Sequence, residues 1–202
     1  MGEKLPFRRR DARATRAEIL RAAQVAFSET GYAHAGIRQI AAMAGASPTL
    51  VLRYFGSKAE LFEAALRAAM PVEVLLAGPR DRFGARLAQA LVDPASDIRP
   101  PSMVAFATAD PQAASIAARV TEAHGIAPVA QWLGGRDARA RALAMTMVAT
   151  GFVTFSRQLP LSEWTEPERG KLVGWLAETV QGLVDGEPGD DADHPGNGTL
   201  PP

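Results

Sequence analysis

Between Gly36 and Lys58 the chain gathers Arg38, Ser47, Pro48, Thr49, Arg53, Tyr54 and Lys58. Guanidinium, ammonium, hydroxyl and phenol groups at this spacing suit hydrogen bonding to phosphates and base edges. Arg38 is positioned for a base or phosphate contact. Ser47 is first a helix cap, and Thr49 beside it is the better candidate for a base edge. Arg53 can read guanine or hold a phosphate, and Tyr54 can reach a phosphate. Lys58 falls at a helix start, where the dipole disfavours its charge, so a phosphate is the partner expected for it. The same pattern offers nothing for catalysis. There is no G-x-S-x-G elbow and no phosphate-cradling glycine loop, and no acid–base pair stands out. His34, His124 and His194 lack ligand spacing, and Cys is absent, so neither a metal site nor a disulfide is expected. No cofactor is implied.

The elements that must hold these groups follow from local signals. Ile37, Ile40, Ala41 and Ala44 form one face of a short helix over about 36–44. Gly45 can end it in the left-handed region, and Ser47-Pro48 then gives a cap and a first-turn proline for a second helix over 47–54. Gly56 stops that helix, and Ser57-Lys58-Ala59-Glu60 is a capping box opening a third, to about Met70. Upstream, Thr15-Arg16-Ala17-Glu18 is another box before an apolar stripe of Ile19, Leu20, Ala23, Ala26 and Phe27, with Gly31 as its end. Two short helices joined by a tight turn, flanked by supporting helices, have the geometry of a helix-turn-helix whose second helix can enter a major groove.

Charge supports a polyanionic partner for this part alone. Residues 1–58 carry ten Lys and Arg against four Asp and Glu, whereas the remainder carries twelve against eighteen, so the chain is neutral overall. Residues 1–14 read as a flexible basic arm, with Arg8-Arg9-Arg10 either following phosphates or simply solvated. Residues 185–202 read as a disordered acidic tail. No apolar run approaches the ~20 residues of a membrane span, and the N-terminus has no apolar segment of the secretory kind.

After Pro71 and Gly78-Pro79 the pattern stays helical with no convincing strand. Helices are expected near Phe83–Leu91, from Asp110-Pro111 to about Ala123, over 126–133, over 136–158 and from Thr165-Glu166-Pro167-Glu168 to 184. Pro94 and Pro100-Pro101 read as bracketing a loop. The last helix has an apolar face wide enough for burial on two sides, one of them against a partner. Phe83, Leu87, Met103, Phe106, Ile116, Trp132, Met147, Phe152 and Phe155 are either plain core or the walls of an apolar cavity, and Arg119, Glu122 or His124 are candidates for a polar anchor in it.

Ile19-Leu20, Ala22-Ala23, Phe27, Gly31-Tyr32, Ile37, Ile40-Ala41, Ala44-Gly45, Ser47, Tyr54-Phe55, Ser57-Lys58 and Leu61 together resemble the tetracycline-repressor (TetR) family of bacterial transcriptional regulators, in order and spacing across residues 15–66. The resemblance implies an all-α fold, with a three-helix helix-turn-helix unit over 15–58 and a larger helical effector-binding and dimerisation part over 59–184. It implies a cytoplasmic repressor that binds a palindromic operator in double-stranded DNA as a homodimer. The dimer would form through the last two helices, about 136–158 and 166–184, and a small apolar or amphipathic effector would release the DNA. Two positions depart from the family pattern. Ala35-Gly36 stands where a hydroxyl residue is common before the second helix, and Leu52 stands where tyrosine is common, which leaves Tyr54 as the aromatic contact. The competing reading, a helical ligand-binding or interaction module without operator binding, is at odds with the basic first 58 residues. An enzyme is the more distant reading.

Overall fold

The computed structural model describes residues 7–93, 96, 98–159 and 161–186, with side chains from residue 12 onward. The acidic tail from 187 and the side chains of Arg8, Arg9 and Arg10 lie outside the described residues. Those described are helical, with no strand among them. The order is α1 (Phe7–His34), α2 (Ile37–Met43), α3 (Pro48–Phe55), α4 (Lys58–Ala68), α5 (Val72–Leu76), α6 (Phe83–Val92), α7 (Pro100–Ala107), α8 (Pro111–Thr121), α9 (Ala127–Leu133), α10 (Ala138–Val153) and α11 (Glu166–Asp185). A π-turn over Glu122–Ile126 joins α8 to α9, and a second, Thr154–Gln158, extends α10.

The caps fall where hydroxyl and carboxylate residues precede the helices. Ser47 accepts from the Leu50 amide and Ser57 from the Glu60 amide, both at 3.2 Å, and Asp110 accepts from the Ala113 amide at 2.9 Å. Thr165 and Glu168 complete a reciprocal box at the start of α11. Three features, two in α1 and one in α7, differ from the sequence reading. Helix α1 starts at Phe7, so Thr15 lies inside it rather than capping it, and the helix takes in residues 7–14 of the expected flexible arm. It also runs past Gly31, whose φ of 75° breaks the helical path; the chain turns there and resumes to His34. Pro100 and Pro101 open α7 instead of closing a loop, because proline suits the first helical turn.

Two apolar cores result. In the first, Ile19, Ala23 and Phe27 of α1 meet Ile40 and Ala41 of α2, Val51 and Phe55 of α3, and Leu61, Phe62, Ala65 and Leu66 of α4. Phe62 packs edge-on to Phe27 and Tyr32, with centroids 5.1 and 5.3 Å apart. Met103 and Ala107 of α7 and Ala113, Ile116, Ala117 and Val120 of α8 belong to this same core. The head formed by α1–α4 therefore sits directly on α7 and α8. An added Cβ at Gly31 would lie 3.2 Å from the Phe106 Cβ, so α7 approaches the α1 backbone closely at that break. The second core joins α6, α9, α10 and α11 through Phe83, Leu87, Leu91, Leu133, Met145, Phe152, Leu176 and Val180. Arg80 and Arg141 bind it at its end. Their guanidinium groups donate to the terminal carbonyls of α9 and α11, namely Trp132, Leu133 and Val184 for Arg80 and Leu183 and Val184 for Arg141.

Candidate DNA-binding head and effector cavity

The turn Ala44–Ser47 sets α2 against α3, with Gly45 at φ +60°. Ile40, Ala41, Val51 and Phe55 point into the first core, and that fixes what is left outside. Arg38, Gln39 and Met43 of α2 and Pro48, Thr49, Leu52 and Arg53 of α3 are exposed. Thr49, Leu52 and Arg53 share one face of α3 at helical spacing. Ser47 is exposed too, but its hydroxyl is engaged by the Leu50 amide, so it caps α3. Tyr54 is half-buried at the edge, with its ring 6.4 Å from Phe55 and the Arg53 guanidinium 5.9 Å from its centroid. On the far side of α3 the Arg16 guanidinium covers the Phe55 ring at 4.9 Å. Arg38 on α2 and Thr49 and Arg53 on α3 are thus left exposed on the helix-turn-helix unit. Met43 and Leu52, both more than two-fifths exposed, lie among them and were not among the sequence candidates. Their signal was the absence of any partner for an apolar side chain at those helical positions.

Lys58 is placed differently. Its ammonium donates to the Ala33 carbonyl at 3.3 Å and lies 4.5 Å from the Tyr32 ring centroid, at the junction of α1 and α2. Burial lowers its pKa, and the charge of Asp110 partly offsets this. Tyr32 in turn donates to Gln112 at 3.1 Å, and burial followed by the Asp110 charge raises its phenol pKa. The amine that the sequence assigned to phosphate is therefore held by the head's own backbone, near the start of α8. Helix α2 begins at Gly36, which has an extended backbone and no side-chain cap.

A cavity of about 320 Å³, open to solvent on one side, lies below the head, lined by α5–α10 and the residues that follow α4. Ala69 and Met70, beyond the last turn of α4, form part of its wall, and so do Phe83 and Leu87 of α6. These two are the sequence candidates that reach it. Met103 is fully buried in the first core, as is Ile116, and Phe106 packs over Gly31. Trp132 stands behind Phe83, ring centroids 5.0 Å apart, under the Arg80 guanidinium. Phe152 packs on Trp164 in the second core. Met147 and Phe155 face outward, 63% and 58% exposed. Helical spacing told which side chains point away from water. It did not tell which layer they enter. The wall residues missed are Pro71, Val72, Pro101, Val104, Thr121, Gly125 and Met145 among others. Pro71 and Val72 lie at the break after α4, Pro101 and Val104 in the first turns of α7, Thr121 and Gly125 at the π-turn after α8, and Met145 within α10.

Two of the three candidate polar anchors are engaged elsewhere. Arg119 makes a bidentate bond to Glu63 at 2.7 and 2.8 Å, joining α8 to α4, and Arg139 binds both oxygens of Glu122 at 3.1 and 2.9 Å. The bond to Arg119 holds the Glu63 carboxyl below its usual pKa. His124 is exposed. Among the described residues no group of acidic and imidazole side chains is placed to hold a metal, and no helix is long and apolar enough to cross a membrane.

Comparison with known proteins is consistent along the chain. Residues 19–65 match the family model for bacterial regulatory proteins of the tetR family. Residues 81–184, more than half of the chain, match the model for a tetracyclin repressor-like C-terminal domain. The HTH-type transcriptional repressor SCO4008 of Streptomyces coelicolor is 44% identical over 61 residues, which cover 30% of this chain and 32% of that protein. This chain therefore matches about a third of that relative's length. Among solved structures, a TetR-family regulator from Rhodococcus sp. superposes with a TM-score of 0.63 at 21% identity, over 83% of this chain and 98% of that one. One from Mesorhizobium loti gives 0.58 at 18%, over 86% and 95%. A transcriptional regulator from Saccharomonospora viridis, in complex with choline, gives 0.57 at 17%, over 82% and 95%. The helix-turn-helix head, the helical body and both family models agree: this chain belongs to the TetR family of DNA-binding transcriptional regulators, not to an enzyme family.

Proposed function

We propose that the protein is a homodimeric repressor that binds a palindromic operator through α2 and α3 and is released when a small molecule fills the cavity below the head. In this reading residues 15–58 are the DNA-binding part and 59–184 the regulatory and dimerising part. Arg38, Thr49, Arg53 and Tyr54 contact the duplex, Ser47 and Pro48 shape the start of the reading helix, and Lys58 reaches phosphate only by leaving the Ala33 carbonyl. The protein acts in the bacterial cytoplasm, where the family's operators are.

The observation that carries the reading is the span of α4. Its first turn holds Lys58 at the α1–α2 junction, and the residues just past its last turn, Ala69 and Met70, line the cavity. A ligand that changes the packing around Met70 acts on the same helix that braces the reading head, and it shifts the population between head placements. Dimerisation is supported by Met147, Phe155 and Trp175, large apolar groups left exposed on α10, its π-extension and α11.

The test is binding of the full chain to duplex DNA flanking its own gene, against a scrambled duplex of equal length. The reading expects one retarded species of dimer stoichiometry on the native duplex alone. Equal binding to both duplexes would refute operator recognition.

A further inference from the structure

Among the residues of α3, Leu52 alone is a large apolar side chain left exposed. It is 43% exposed, whereas Val51 and Phe55 on the inward side are buried in the first core. A leucine standing singly on a surface is ordinary. What sets this one apart is its company. It lies one turn beyond Pro48 and Thr49 and next to Arg53, all of them exposed. Thr49 and Arg53 carry hydrogen-bonding groups suited to base edges; Leu52 carries no donor and no acceptor. Its backbone is held firmly. Ser47 caps the start of α3, and at the other end the Gly56 amide donates to the Leu52 carbonyl at 2.7 Å. A side chain on a helix fixed in this way is presented more precisely than one on a loop. Around it the first 58 residues carry ten Lys and Arg against four Asp and Glu, which suits a polyanion. On such a partner an isobutyl group gains affinity only by covering something apolar. The apolar feature that base edges present in the major groove is the C5 methyl of thymine.

We infer that Leu52 is a specificity-determining residue, which covers the C5 methyl of one thymine in each operator half-site. The inference rests on reading α2 and α3 as the operator-binding pair, and it names one base that the pair selects. Leu52 stands within the first two turns of the second helix of the unit, the part of such a helix that faces base edges. Met43 is exposed as well, but it ends α2, and the first helix of the unit crosses the backbone instead. Leu52 thus favours thymine over cytosine, whose ring edge has no methyl and offers an amino donor that leucine leaves unpaired. Burying one methyl is worth about fourfold in affinity. A dimer on a palindrome makes the contact twice, so the two together are worth about tenfold or more.

The experiment measures binding of the full chain, by fluorescence anisotropy, to the duplex flanking its own gene. The duplex is made once with thymine and once with deoxyuridine at every thymine position. Uracil keeps both carbonyl oxygens and loses only the methyl. The wild-type chain is expected to bind the thymine duplex about tenfold more tightly than the uracil one. Leu52→Ala, on an exposed helical position, should melt at the wild-type temperature and bind the two duplexes alike. Leu52→Met keeps an apolar side chain of similar size and should retain the thymine preference, as should Met43→Ala. Equal wild-type binding to the two duplexes would overturn the inference. So would a Leu52→Ala variant that keeps the wild-type ratio, even if its affinity fell, because the side chain would then touch sugar and not a methyl. Both of these outcomes leave operator recognition standing. Wild-type binding to the thymine duplex no tighter than to a scrambled one would refute operator recognition itself, and this inference with it.

Discussion

At Gly36 the chain enters α2 with φ −100° and ψ 146°, a backbone any residue can adopt, and nothing lies within 4 Å of the place a Cβ would take. Gly36→Ser therefore costs no strain and supplies the missing N-cap. Glycine caps only a few tenths of a kcal/mol less well than serine, so the variant is expected to be more stable by about that amount, readable as a small rise in melting temperature. A fall would show that the junction with Ala33 and Lys58 requires glycine. Single residues were legible in the sequence where their role is local. Ser47, Asp110 and Thr165 cap the helices they were assigned to, because a cap depends on its own four residues. Lys58 was not legible in this way. Its amine bonds a carbonyl twenty-five positions away, and no local pattern encodes that.

Helices meet most tightly where α6 crosses α11. A Cβ at Gly84 would overlap the Ala177 carbonyl, and the Gly84 amide donates to the Gln181 side chain at 3.0 Å. Gly84→Ala raises helix propensity yet forces the two helices apart, and a loss of about 1–3 kcal/mol is expected in denaturant melts. The head is fastened to the body by a different kind of contact, the Glu63–Arg119 pair between α4 and α8. Because the folded carboxyl pKa is depressed, the pair's contribution is present above the ordinary glutamate value and fades as pH falls through the lowered folded one. Arg119 is largely exposed and Glu63 about a third exposed, so solvent screens the pair and the contribution is small. Glu63→Gln should leave stability near neutral pH slightly reduced and remove this part of the acid dependence; an unchanged acid profile would show that the pair is idle. The helices themselves were legible from periodicity and caps. The sharing of the first core with α7 and α8 was not, because an apolar stripe names a buried face without naming its neighbour. For the same reason Phe83 and Leu87 reach the cavity while Met103 and Phe152 fill cores.

For the molecule as a whole, charge and exposure divide the surface into three tasks. On the proposed reading the basic head would face DNA, the apolar cavity would admit the effector, and the exposed apolar groups of α10 and α11 would pair with a second copy. Trp175 is 53% exposed on α11, so Trp175→Glu leaves the two cores intact and is expected to yield a folded monomer by light scattering. A dimer of unchanged stability would place the interface elsewhere. The central claim, that the outward face of α2 and α3 binds duplex DNA, is tested most directly by the salt dependence of affinity. The comparison is between the wild-type chain and Arg53→Ala on the duplex flanking the protein's own gene. Arg53 is exposed on α3, so the variant should melt at the wild-type temperature while its affinity falls and its log–log salt slope drops by about one if the guanidinium holds a phosphate, or stays while base preference relaxes if it reads guanine. Unchanged affinity, slope and base preference together would contradict the account.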